Sequence, residues 1–105
     1  MKYLAICRNK DLFYALPPET RAEIRTASIA FVDECLKSGK CEDAYYLGDM
    51  KGSVTIWELG SSEEAARVSL ESPMAPFQDI ELIPIIEYDV GKKAVVEVLG
   101  KAVRK

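Results

Sequence analysis

From Gly52 to Glu87 the hydrophobic and polar positions change period twice, and each change marks an element. Val54 and Ile56 alternate with Thr55 and Trp57, the period of two expected of a strand. Ser61 is then followed three residues later by Glu64, a capping box that satisfies orphan N–H groups at a helix start, so a helix is predicted from Ser62 to Glu71. Ser72-Pro73 closes it, because the residue before a proline is pushed out of the α region. Ile80 to Tyr88 reads as a further strand, and Pro84 within it predicts a bulge or a locally unpaired position.

The upstream half follows the same rules. Tyr3, Ala5 and Cys7 alternate with Leu4 and Ile6, giving a strand with apolar residues on both faces. Asn9 to Leu16 reads as a loop. Pro17-Pro18-Glu19 opens a helix that runs to about Ser38, with Ile24, Ser28, Phe31 and Cys35 as its inward stripe and Gly39 as its C-terminal cap. Ala44 to Leu47 and Ser53 to Leu59 are strands joined by a hairpin turn over Gly48 to Gly52.

The order strand, helix, strand, strand, helix, strand predicts an α+β, ferredoxin-like βαββαβ fold in which two helices cover one face of a four-stranded antiparallel sheet. Leu4, Ile6, Val54, Ile56, Ile80 and Leu82 are assigned to the helix side. That leaves Tyr3, Ala5, Cys7, Thr55, Trp57, Ile83 and Ile85 on the opposite face. Burying one such large side chain contributes about 1.5–3 kcal/mol, so a face this apolar predicts a second copy of the chain packed against it. Residues 1–90 form this domain and 91–105 a C-terminal helical extension. In the extension Ala94, Val95, Val98, Leu99, Ala102 and Val103 recur at helical spacing, a stripe suited to docking on a neighbouring subunit or on its own domain.

Composition narrows the function. A chain of 105 residues, 49% apolar and 30% charged, is one globular domain, and no apolar run approaches a membrane span. A net charge of −3 argues against a nucleic-acid binder, and the basic cluster Lys92, Lys93, Lys101, Arg104 and Lys105 reads as a solvated face. Cys7, Cys35 and Cys41 show no CxxC spacing and there is no histidine, so no metal site is expected. Free thiols behind a start with no export signal point to the cytoplasm.

The loop Ser72-Pro73-Met74-Ala75-Pro76-Phe77 is similar to the Leu-Pro-Leu-Phe-Pro-Tyr loop of the muconolactone isomerase family. Ser61, Ile80, Pro84 and the Ser38-Gly39-Lys40 junction carry the same resemblance over about Met1 to Tyr88. The resemblance implies a dimeric α+β barrel whose sheets face each other, and isomerisation of a small unsaturated lactone by proton abstraction and return, without a cofactor. The family's Glu-Lys pair in the first helix stands here as Ser28-Ile29, and its Trp-x-His-x-Trp-Arg segment as Cys41 to Tyr46. No catalytic residue is assigned by that route.

The residues leave two function classes open. In the first, Tyr3, Cys7, Tyr45, Thr55, Trp57 and Glu81 line an aromatic pocket between facing sheets and hold a small organic ligand, with a tyrosine hydroxyl or the Glu81 carboxylate able to move a proton. In the second, the same side chains fill the dimer core of a non-enzymatic assembly or regulatory module, and the C-terminal helix recruits a partner.

Overall fold

The computed structural model describes residues 1–103. Its order is β1 (Lys2–Asn9), α1 (Asp11–Tyr14), α2 (Pro18–Ser38), β2 (Cys41–Tyr46), β3 (Gly52–Glu58), α3 (Ser62–Glu71), a 3-10 turn (Ala75–Phe77), β4 (Gln78–Ile85) and α4 (Tyr88–Val103). The strands form one sheet in the order β2-β3-β1-β4, every pair antiparallel. This is the ferredoxin-like arrangement the element order predicts.

Local chemistry accounts for the boundaries. Ser61 Oγ accepts the N–H of Glu64 at 3.1 Å, and the Glu64 carboxylate reaches back to the N–H of Gly60 at 3.0 Å, so the predicted capping pair starts α3. Gly39 ends α2 at φ +83°, the left-handed conformation in which a side chain would be strained. In the β2–β3 hairpin the positive φ falls on Met50 and not on a glycine. Gly52 is needed for space, since a Cβ there would collide with the Cys7 carbonyl oxygen across the sheet.

Four elements differ from expectation. The simplest difference is that β4 ends at Ile85 and α4 already begins at Tyr88, where the sequence pattern continues the strand to Tyr88 and begins the extension at Gly91. The segment read as a loop contains α1, because Phe13 turns inward and is fully buried against Phe77. The strand predicted from Ala44 starts at Cys41, with a register shift between Cys41 and Asp43. Pro84 produces no bulge: β1 and β4 pair in unbroken register from Lys2–Ile85 to Asn9–Gln78. As β4 is an edge strand, a proline can sit where one side of the backbone has no neighbour.

The larger correction concerns which sheet face meets the helices. Tyr3, Ala5, Cys41, Trp57, Leu59 and Ala65 form the buried core, with Phe31 and Cys35 of α2 and Val68 of α3 packed on it. The Phe31 and Trp57 rings stand 6.5 Å apart. The helices therefore lie on Tyr3, Ala5, Cys7, Thr55 and Trp57, and the assignment of Leu4, Ile6, Val54 and Ile56 to the helix side is reversed. Ile80 and Leu82 do lie on the helix side as expected, because they pair with Cys7 and Ala5 and share their face. The open face carries Leu4, Ile6, Val54, Ile56, Ile83 and Ile85.

α4 leaves the domain. Val95, Val98 and Leu99 are 57–66% exposed, so the stripe does not pack on its own domain, and the molecule measures 63 × 28 × 23 Å. Arg104 and Lys105 of the basic cluster lie outside the described residues, as do the side chains of Ala102 and Val103. Among the described residues no helix is long and apolar enough to cross a membrane.

Candidate functional site

Between the sheet and α2 lie three adjoining cavities that share Ser28 and Ser53. Ser28 reaches this space because it interrupts the apolar stripe of α2. Ser53 reaches it because β3 alternation puts it on the same face as Thr55 and Trp57. The first cavity, about 70 Å³, is walled by Phe31, Trp57, Val68, Ile80 and Leu82, with Cys7 and Thr55 on its floor. The second, about 180 Å³, shares Gln78 with the first and adds Asn9, Arg25 and Tyr46 near the hairpin and the 3-10 turn. The third, also about 180 Å³, opens along the β2 edge beside Asp33, Tyr45 and Tyr46.

The polar groups are held by specific contacts. Trp57 Nε1 donates to Thr55 Oγ1 at 2.7 Å, a buried bond that uses the hydroxyl and fixes the indole. Gln78 Nε2 donates to Asn9 Oδ1 at 2.9 Å, and Asn9 Nδ2 donates to the Tyr14 hydroxyl at 3.0 Å, a chain tying β4, β1 and α1 together. Burial pushes the Cys7 thiol above its ordinary range, with a hydrogen bond to Ser53 opposing the shift, so Cys7 is a protonated thiol at neutral pH and not an activated nucleophile. The Asp43 carboxylate accepts the Tyr45 hydroxyl at 2.9 Å and raises its pKa, which keeps that phenol protonated. Among the described residues no cluster of three or more metal-ligating side chains occurs.

The expected site residues separate. Cys7, Thr55 and Trp57 come together, but under the helices and not on the open face. Tyr45 reaches the rim of the third cavity from the sheet edge, 57% exposed. Tyr3 is absorbed into the core, and Glu81, opposite Ile6 in the register, is exposed on the other face, away from the cleft. The six residues therefore do not share one face of the sheet. Sequence reasoning missed Arg25, Asp33, Ser53 and Gln78. The available signal was polar residues intruding on apolar faces: Arg25 and Ser28 beside Ile24 on α2, and Ser53 in line with Thr55 on β3.

No protein-family model matches the chain. The muconolactone Δ-isomerase of Rhodococcus opacus is 23% identical to it over 73 residues, 70% of this chain and 78% of that protein. A crystal structure of muconolactone isomerase superimposes with a TM-score of 0.72 at 14% identity, covering 84% of this chain and 91% of that one. A 5-chloro-2-hydroxyhydroquinone dehydrochlorinase from Burkholderia phenoliruptrix, in complex with 2,5-dihydroxybenzoquinone, superimposes with a TM-score of 0.64 at 18% identity, covering 85% and 97%. The expectation drawn from the Pro73–Pro76 loop holds: this chain is muconolactone isomerase-like in fold and, over those 73 residues, in sequence.

Proposed function

We propose that this protein binds a small unsaturated organic molecule in the cleft between its sheet and α2, and acts on it as a cofactor-free isomerase or a related enzyme. The observation that supports this reading is the junction of three cavities at Ser28 and Ser53. Each alone is smaller than the roughly 300 Å³ of a typical ligand pocket, so a ligand would span more than one. An aromatic and aliphatic end meets a polar end, the arrangement that orients a small ring. The two similar structures belong to proteins that are named for chemistry on small unsaturated rings.

Asp33 is the carboxylate lining the cleft, at its rim, and Tyr46 lines the same cavity. In this reading Asp33 accepts a proton next to a carbonyl and a neutral phenol or serine hydroxyl stabilises the enolate. Ser53→Phe, which fills the junction, should abolish the shift in Trp57 emission and in melting temperature produced by 2,5-dihydroxybenzoquinone or a small unsaturated lactone. Unchanged ligand response in that variant would place the ligand elsewhere. Asp33→Asn should keep binding and lose turnover, whereas unchanged turnover would remove Asp33 as the base.

A further inference from the structure

We infer that the Arg25 cavity seats the anionic group of a small organic acid, whose apolar body runs into the adjoining cavity that Phe31 and Trp57 help to line; this rests on the cleft being the ligand site. Arg25 lies in the middle of α2, facing inward beside Ile24, where a charge has no role in solvating the helix. Its guanidinium carbon stands 5.0 Å from the centroid of Phe13, whose ring is fully buried. The short helix α1 thus supplies a platform that holds the cation over an aromatic face.

That platform leaves the N–H donors of the guanidinium available. Among the described residues Arg25 forms no ion pair and donates no side-chain hydrogen bond, although the chain carries more acidic than basic residues. The second cavity has no carboxylate on its lining; Asn9, Ser28, Tyr46, Ser53 and Gln78 surround the cation with neutral donors and acceptors. A planar fork of N–H groups in such a cavity matches a carboxylate or an acidic enol, each able to take two parallel charge-assisted bonds.

The geometry also sets the ligand's shape. Ser28, Ser53 and Gln78 belong to both cavities, so the space beside Arg25 opens directly onto the walls formed by Phe31, Trp57, Ile80 and Leu82. A small ring bearing one acidic group is the kind of ligand that could place its charge beside Arg25 and its apolar part in the adjoining space. The chain's overall charge of −3 does not draw anions from a distance, so recognition depends on contact with Arg25 and not on the field of the whole molecule.

Benzoate and benzamide, nearly isosteric and differing in charge, test this by calorimetry and Trp57 fluorescence. Wild type is expected to bind benzoate about tenfold or more tighter than benzamide, and Arg25→Gln to reduce benzoate to the benzamide level without changing benzamide. Should Arg25→Gln fail to fold, Arg25→Lys keeps a cation over Phe13, loses the fork, and is expected to weaken benzoate alone. Equal binding of the two probes by wild type, or a preference for benzoate that survives loss of the guanidinium, overturns the anion assignment and leaves the cleft reading standing. Silence of both probes, together with no response to uncharged unsaturated lactones, overturns the cleft reading and the assignment with it.

Discussion

At the scale of single residues, burial governs the chemistry of the three thiols. Cys7, Cys35 and Cys41 are each shifted upward, with desolvation the largest cause in every case. The folded protein therefore keeps protons that the unfolded chain, with ordinary thiols near pH 8.5, gives up. Since the unfolded state binds fewer protons above that value, stability is fully present below about pH 8.5 and falls as pH rises beyond it. Urea midpoints measured from pH 7 to 9.5 should decline in the upper part of the range, and Cys7→Ser should flatten the decline. A midpoint that rises across this range would mean the thiols ionise more easily in the folded protein. The cysteines were visible in the sequence, but their protonation state was not, because it depends on which sheet face the helices cover.

At the scale of elements, turns and caps were legible because their signals are local. The Ser61 and Glu64 pair, the Ser72-Pro73 stop and Gly39 each act within a few residues of chain, and each stands where the sequence placed it. Ser61→Ala should cost about 0.5–2 kcal/mol by removing the acceptor for the Glu64 N–H. An unchanged midpoint in chemical denaturation would show that the cap contributes nothing. α1 was not legible, since four residues carry no period. Phe13 becomes helical and buried only because Phe77, far away in sequence, provides a surface for it. The platform under Arg25 is thus a tertiary product, and so is the half of the cleft that depends on it.

At the scale of the whole molecule, the open sheet face gathers Leu4, Ile6, Val54, Ile56, Ile83 and Ile85, each in or near solvent in a single chain. Their combined burial would contribute several kcal/mol at ~1.5–3 kcal/mol for each side chain fully covered. We expect the protein to be at least a dimer at micromolar concentration through this face. Light scattering should give a dimeric or larger mass, and Ile6→Asp should yield a folded species of lower mass. A monomeric wild type, or an Ile6→Asp variant of unchanged mass, would refute the assignment. Trp57→Asp, by contrast, should unfold the chain, as Trp57 is 5% exposed beneath Phe31.

The sequence by itself determined the order of the four strands and the two helices that cover them, the α2 and α3 ends, and which residues share a face within each strand. Those properties follow from local sterics and from the period of the backbone. It did not determine which face the helices take. Tyr3, Ala5 and Cys7 must lie together, and so must Leu4 and Ile6, but both sets are apolar and a period of two treats them alike. Only the packing of Phe31 on Trp57 and of Val68 on the same core decided between them. That decision moved the candidate site from the open face to the space beneath α2, where Ser28, Ser53 and Arg25 meet residues more than twenty positions away in the chain.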